Sequence, residues 1–384
     1  MSRGAAPRVL VVHPSAELYG SDRMVLESVR GAVEAGFDVV VALGEDGPLA
    51  DRVRAAGARA EVLPVPVLRK SSLTPRGLLR LAASAVRAVL PQARLLRRER
   101  PSVLYVSTLT TPTWPLVGRL LGARVVAHVH EAEGRAPAAV RWAMAAPLLA
   151  CRTVLVNSSY ARQTLVEAQP RLAGRSQVVL NGVEGPPGGP VVRGPRAPGE
   201  PLRLLYVGRL SERKGVFVAL DALELLLARG ASVRLDLVGS TFGEHADVAR
   251  HLERRLADEA LRGAVTVHSF TDDVWSHLAA CDALLVPSVL PEPFGNTAVE
   301  GLLAGRPVVA SDLGGLPEAV QGASGARLVT PGDAEALAAA VQSLAEELPV
   351  LSERAAGGAA AAAARYAPGR YRAEVAAALT RAAG

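Results

Sequence analysis

Cysteine is nearly absent. The 384 residues hold two, Cys151 and Cys281, far apart and without the spacing of a zinc site. A disulfide framework is excluded, and a reducing cytoplasm is the simple expectation. Aromatic residues are scarce too, 4% of a chain that is 49% hydrophobic, so Val, Leu and Ala must fill the cores. Of 43 basic residues only Lys70 and Lys214 are lysines, which makes Lys214 in VGRLSERKG stand out. No apolar run reaches membrane-spanning length; Ala143 to Cys151 is short and contains proline. The opening MSRGAAPRVLVVHPS runs straight into a strand pattern without the apolar region of a signal peptide. Several motifs are missing: Asp-x-Asp after a strand, a Walker A loop, GxSxG, HExxH, and GxGxxG after the first strand. Their absence argues against a metal-held diphosphate, a P-loop, a hydrolase elbow, a zinc protease and a dinucleotide fingerprint.

What is present is a repeated strand–helix pattern. Continuous Val/Leu runs at Arg8–His13, Asp38–Leu43, Ala60–Val67, Ser102–Ser107, Arg124–His130, Thr153–Asn157 and Gln177–Leu180 predict parallel strands buried on both faces. Helical periodicity covers Arg23–Ala35 and Leu78–Arg98. Residues 185–201, almost all Pro, Gly and Arg, read as a linker. The pattern then restarts at Leu202–Val207, Val233–Val238, Val265–Phe270, Ala283–Pro287, Pro307–Ala310 and Arg327–Val329, with helices at Val216–Ala228 and Asp247–Asp258. The expected fold is α/β: two doubly wound Rossmann-like domains, 1–184 and 202–365, facing across a cleft. The alanine-rich stretch 355–364 carries little information. The tail 366–384 reads as a helix that can pack back on the N-terminal domain.

The candidate chemistry lies at predicted strand ends, where such sheets bind ligands. Arg209 ends the first strand of the second domain and Lys214 follows five residues later, two cations suited to a diphosphate. The stretch EPFGNTAVEGLLAGRPVVASDLGGLP, 292–317, places Glu292 in a loop and Glu300 a turn into a helix that Asn296 should cap. Carboxylates accept paired hydroxyls, so ribose or hexose diols suit both. Backbone amides of Gly295, Asn296 and Thr297 form a candidate anion cradle, with a second glycine turn at Gly314-Gly315. In the first domain, Tyr19-Gly20-Ser21-Asp22 follows the first strand, and Gly20 permits close approach by a phosphate. His128 and His130 alternate to one side of a strand end. His128 reads as a core histidine and His130 as a hydrogen-bonding or proton-handling group, with no third ligand at metal spacing.

Together these residues resemble the retaining GT-B glycosyltransferases of family 4, the "group 1" glycosyltransferases, over nearly the whole chain. The resemblance rests on Glu292 and Glu300 with PFG between them, on VGRLSERKG, and on NGVE at 181–184. It implies sugar transfer from a nucleotide diphospho-sugar to a hydroxyl acceptor, as in polysaccharide biosynthesis. Retention at the anomeric carbon is implied, with no essential metal and no cofactor beyond a UDP- or GDP-linked co-substrate. Carried over by position, Arg209 and Lys214 would stabilise the leaving diphosphate and Glu300 would hold the ribose. Glu292 would sit by the donor sugar, with Phe294, Gly295, Asn296 and Thr297 beside it. Gly20 and Ser21 would line the phosphates, and His130 would lie near the transferred sugar. The family often has two adjacent glycines where this chain has Gly20-Ser21, so a side chain stands in that loop. A front-face route suits the residues, because no acid presents itself as the nucleophile of a double displacement.

Residues 1–185 carry 24 basic and 14 acidic residues, and 69–100 alone carry nine basic and one acidic. The segment 69–100 reads as an amphipathic helix from Pro75 to Leu90 and a second helical turn after Pro91. It suits either a solvated arginine face or peripheral contact with an anionic membrane at its inner side. No aromatic platform accompanies the charge, so nucleic acid is not expected. Two other readings stay open: a nucleotide-sugar epimerase of the same fold, and a non-catalytic nucleotide-sugar-binding subunit.

Overall fold

The computed structural model describes residues 6–18, 20–68, 75–132, 134–190, 197, 199–241 and 246–384. Tyr19, the 69–74 start of the basic stretch with Lys70, and 191–196 of the Pro/Gly segment lie outside them. The chain divides into two compact units, Met1–Gly182 with Ala367–Gly384, and Val183–Tyr366. The first division thus falls just ahead of the Pro/Gly segment.

In chain order the strands are β1 (Arg8–His13), β2 (Asp38–Leu43), β3 (Arg59–Val62), β4 (Val103–Val106), β5 (Arg124–Val129), β6 (Thr153–Val156), β7 (Ser176–Val178), β8 (Leu202–Val207), β9 (Val233–Val238), β10 (Val265–His268), β11 (Ala283–Val286), β12 (Val308–Ser311) and β13 (Ala326–Val329). The helices are α1 (Gly20–Glu34), α2 (Pro48–Ala55), α3 (Pro75–Glu99), α4 (Thr113–Leu120), α5 (Ala138–Ala145), α6 (Ser159–Ala168), α7 (Val216–Ala228), α8 (Ala246–Leu256), α9 (Val274–Ala280), α10 (Asn296–Leu303), α11 (Leu316–Ala319), α12 (Ala334–Glu346), α13 (Leu348–Arg365) and α14 (Pro368–Ala383). Unit 1 is a seven-stranded sheet in the order β3-β2-β1-β4-β5-β6-β7; unit 2 is six-stranded, β10-β9-β8-β11-β12-β13. The pairings are parallel.

Burial on both faces explains the unbroken apolar strands. In β1, Val9 and Val11 enter the core beneath α1, α2 and α14, while Leu10 and Val12 enter the core beneath α3, α4, α5 and α6. In both sheets the strand order reverses at one place, beside β1 between β2 and β4, and beside β8 between β9 and β11. The strand carboxyl ends open there, and the loops leaving β1 and β4, or β8 and β11, come together.

The elements differ from expectation in four places. β3 stops at Val62, because Pro64 and Pro66 have no N–H to continue a ladder. α3 runs unbroken through Pro91 to Glu99, giving up one intrahelical bond. The alanine-rich stretch is helical within α13. α1 begins at Gly20, so Gly20 and Ser21 are its first two residues rather than a free turn. Among the described residues no helix is long and apolar enough to cross a membrane.

Candidate functional site

In unit 2 the chain leaves β8 at Gly208, whose φ of 143° suits only glycine. Arg209 follows, exposed, and its carbonyl accepts from the Tyr206 hydroxyl at 2.8 Å. A short turn, Glu212–Lys214, ends at Gly215 in the left-handed region, φ 76°. A side chain there would place Cβ 1.8 Å from the Pro287 carbonyl, so the loop after β8 lies flush on the loop after β11. Arg213 fastens the two: its carbonyl accepts from the N–H of Val289 at 2.9 Å, and its guanidinium donates to the Pro291 carbonyl at 3.1 Å.

This seam aims Lys214 at Glu292. Nζ donates to both carboxylate oxygens at 2.6 Å. The Ser288 hydroxyl donates to Oε1 as well. Glu292 is 7% exposed. Burial alone would raise its pKa, but the Lys214 charge and hydrogen bonds outweigh it and hold the carboxyl below its ordinary value. The carboxylate is therefore ionised, and its charge is matched by a cation that still reaches solvent, with a 31% exposed side chain. The sequence reading treated these residues as separate donors and acceptors for a ligand. The structure brings them together as one unit.

Beyond Glu292, the Phe294 ring is buried at 2% exposure and packs edge-on against Tyr366, so only its backbone can meet a ligand. The helix cap differs by one residue from expectation. Gly295, at φ 121°, is the N-cap of α10, and Asn296 is its first helical residue. A Cβ at Gly295 would stand 2.6 Å from the Leu316 side chain. Asn296, Thr297 and Glu300 are half-buried on the first turns of α10, where N–H groups have no intrahelical acceptor. The glycine turn at 314–315 offers less than expected to an anion. The Gly315 N–H donates to the Glu292 carbonyl at 2.8 Å, and the turn acts as a backing plate for 291–294.

Unit 1 gathers a second cluster at the ends of β1, β4 and β5. His13 Nε2 lies 2.7 Å from Asp22 Oδ1 on α1, and Nδ1 lies 2.6 Å from the Ser107 hydroxyl. This fixes the first turn of α1, where Gly20 and Ser21 are exposed. His130 is half-buried as a residue, yet both its ring nitrogens are shielded and make no hydrogen bond among the described residues. Burial, reinforced by His13 and opposed by Asp22, pushes its pKa down to about 3. It is a neutral imidazole able to donate to and accept from hydroxyls. Glu131 turns back: it accepts from the Thr108 hydroxyl and from the N–H of Leu109 and His130. Burial raises its pKa.

His128 is a core residue, 0% exposed, with Nδ1 2.7 Å from the Tyr105 hydroxyl. Its ring centroid lies 4.2 Å from that of His130 and 5.8 Å from that of Tyr371. Burial, with His130 adding to it, pushes its pKa well below the ordinary histidine value. Sequence reasoning missed His13, Ser107, Arg213 and Ser288. Only His13 carried a signal, as a polar residue closing an otherwise apolar strand next to a topological switch.

Two family models match the chain. Residues 19–184 match the one described as Glycosyltransferase Family 4, and residues 201–347 the one described as Glycosyl transferases group 1. The amylovoran biosynthesis glycosyltransferase AmsK of Erwinia amylovora is 31% identical over 147 residues, 36% of this chain and 35% of that protein. Glycogen synthase of Mycobacterium tuberculosis is 34% identical over 179 residues, 46% of this chain and 42% of that one. The chain thus spans about two fifths or less of the length of these curated relatives. Among solved structures, Anabaena HepE in complex with UDP superposes with a TM-score of 0.79 at 21% identity, covering 97% of this chain and 100% of that one. A sucrose-phosphate synthase from Thermosynechococcus elongatus gives 0.75 at 19% identity, covering 98% of each. Likenesses at these identities establish the two-domain GT-B fold.

Proposed function

The chain belongs to the group 1, family 4 glycosyltransferases, and from that premise we propose that it moves a hexose from a nucleotide diphospho-sugar to an acceptor hydroxyl. Retention at the anomeric carbon and independence of metal are part of the proposal. The observation that carries it is the Lys214–Glu292–Ser288 unit at the switch point of the second sheet. A buried carboxylate there holds a half-exposed ammonium in place before any ligand arrives, and electrostatic catalysis needs such preorganisation. What supports the nucleotide-sugar donor is the fold shared with HepE, itself solved with UDP and with UDP-glucose.

In the reaction, the bond between the anomeric carbon and the diphosphate oxygen breaks first. Negative charge then builds on the leaving diphosphate, facing Lys214 and Arg209. The acceptor oxygen bonds to the anomeric carbon on the face the diphosphate leaves, and its proton passes to a departing phosphate oxygen. Lys214 is fixed by Glu292 rather than by solvent, so meeting this charge costs little reorganisation. Glu300 and the first-turn amides of α10 suit the ribose and phosphates. Gly20, Ser21 and neutral His130 are assigned to phosphate and sugar hydroxyls.

The test is incubation with UDP- and GDP-sugars, first donor alone and then with hydroxyl acceptors, following products by NMR. Expected are slow release of free sugar from donor alone and a glycoside retaining the donor's anomeric configuration. An isomerised nucleotide sugar would assign an epimerase instead, and an untouched donor a binding subunit. Thermal-shift titration with UDP, GDP, ADP and dTDP selects the base, since stabilisation grows with ligand over dissociation constant.

A further inference from the structure

His130 is held in place by packing. Neither of its shielded ring nitrogens meets a hydrogen-bond partner among the described residues. The last torsion of a histidine has only a broad preference, so rotamer choice alone does not fix the ring plane. Neighbouring rings do. The centroid of the His128 ring lies 4.2 Å from that of His130, with the two planes 31° apart. The Tyr371 ring follows at 5.8 Å from His128, with planes 25° apart. Three rings thus run in series, Tyr371, His128 and His130.

The series is anchored at its rear. Tyr371 stands on α14, which belongs to unit 1 although all of Val183–Tyr366 separates the two in the chain. Its side chain is 0% exposed. The hydroxyl lies 2.8 Å from Ser28 Oγ on α1 and donates to the Met24 carbonyl at 3.1 Å. Tyr105, edge-on to His128 at 83°, places its own hydroxyl 2.7 Å from His128 Nδ1 and 2.9 Å from Ser28 Oγ. Burial raises the pKa of both tyrosines, so both hydroxyls stay protonated. Tyr371 has little room to shift: a Cβ at Gly182 would stand 2.8 Å from Tyr371 Cβ and 2.9 Å from Pro368 Cα.

Seating α14 does not require this arrangement. Val375, Leu379 and Ala382 enter the same core with apolar side chains alone. A buried tyrosine brings a hydroxyl that is costly unless it is bonded. What Tyr371 adds in return is a flat ring against His128. An imidazole oriented by a hydrogen bond gives up one nitrogen to it. His130, oriented by rings, gives up neither, and as a neutral imidazole it offers one N–H donor and one acceptor. Such a pair suits two neighbouring hydroxyls of a sugar when the ring plane is fixed beforehand.

We infer that Tyr371 and His128 are positioning residues for sugar transfer: α14, through the three rings, sets the plane in which His130 meets the transferred sugar. This role rests on the assignment of His130 to the sugar, and the two fail in different ways below.

The experiment compares the full chain with Tyr371→Leu, Tyr371→Phe, His130→Ala and the double variant Tyr371→Leu/His130→Ala. Ring placement is read first, in the free protein labelled with 13C-histidine. The His130 signal is the one absent from His130→Ala. Tyr371→Leu should shift it while leaving those of His251, His268 and His277, in the other unit, in place. Transfer is read next, with the UDP- or GDP-sugar and acceptor that the product assay shows to be active. Tyr371→Leu should lower kcat/KM about tenfold or more. Tyr371→Phe, which keeps the ring, should retain most of the parental value. The double variant should be no slower than His130→Ala, because a residue that acts through His130 has nothing left to act on. An equal loss from Tyr371→Leu with and without His130 would make Tyr371 a support of the fold alone and overturn the inference, as would a His130 signal that stays at its parental position. His130→Ala with parental turnover, or no turnover with any donor, would overturn the assignment of His130 and the inference with it, even where the signal has moved. His128→Asn, which keeps an acceptor for the Tyr105 hydroxyl but no ring, is read in the same way and decides the matter if Tyr371→Leu does not fold.

Discussion

Lys214 and Glu292, 78 residues apart in the chain, meet with Nζ 2.6 Å from each carboxylate oxygen. Lys214 holds the Glu292 carboxyl ionised, and the two side chains orient each other, so their removal cannot be independent. Lys214→Met leaves the Glu292 charge buried with one hydroxyl partner. It should cost about 1–3 kcal/mol of stability and lower kcat for transfer by about 10²–10³. Adding Glu292→Gln removes the stranded charge, so the double variant should melt at a higher temperature than Lys214→Met alone, while activity stays low. Melting curves and transfer kinetics on Lys214→Met, Glu292→Gln and the double variant check this. Additive stability losses would mean that the pair is not coupled.

Gly315 tests the backing of the Glu292 loop without touching a polar group. Its φ of −85° is open to any residue, so alanine there brings only a steric cost. The new Cβ would lie 2.6 Å from the Pro293 carbonyl and 2.8 Å from Phe294 Cα, both backbone. The loop must move, at about 1–3 kcal/mol, and the donor KM should rise. Gly174→Ala meets nothing within 4 Å and serves as the unchanged control. Equal donor KM in both variants would show that the glycine turn does not position the loop.

The buried histidines make stability depend on pH in a stated direction. His128 is held well below, and His130 at about 3 against, an ordinary value of 6.5. Unfolded, each takes up a proton as pH falls through 6.5, whereas folded it does not. Stability is thus fully present above that pH and lost below it. Glu131, raised by burial, works in the opposite sense below its own native value, so the informative quantity is a difference. Relative to His128→Asn, the parent should lose about 1.4 kcal/mol for each pH unit below 6.5. Denaturant unfolding of both proteins at pH 7.5, 6.5 and 5.5, a range of about two units, reads this slope. Parallel pH profiles would refute the burial assignment.

How far the sequence could be read depended on whether the signal was local. Runs such as VLVV in β1 and LLYV in β8 are continuous because both faces are buried, so period and length alone placed them. The Lys214–Glu292 pairing was hidden: each residue was visible, but their meeting depends on the loop seam made by Gly215 and Arg213. His13 and Ser107 were invisible for a related reason. A lone polar residue at a strand end acquires meaning only when the neighbouring strand, here β4 beside β1, is known. Pro91 misled in the other direction, because packing of Leu95 and Leu96 carries α3 past a local break.

Gly31 tests how the C-terminal helix completes the first unit. α14 lies on α1, burying Tyr371, Val375 and Leu379 in the same core as Val9 and Val11. The Tyr371 hydroxyl lies 2.8 Å from Ser28 Oγ, and Arg372 pairs with Glu27 at 2.6 Å. Where the helices approach most closely there is no room for a side chain: a Cβ at Gly31 would stand 2.7 Å from the Arg372 carbonyl and 2.9 Å from its Cα. Both obstacles are backbone, so Gly31→Ala must displace α14 rather than a rotamer. The expected cost is about 1–3 kcal/mol, with faster amide exchange confined to α14 and easier proteolysis near Ala367. Nucleotide affinity should change less than stability, because Arg209, Lys214 and Glu300 lie in the other unit, while Gly20 and Ser21 sit at the far end of α1 from Gly31. A variant with parental exchange in α14 would show that the helix does not rest on Gly31.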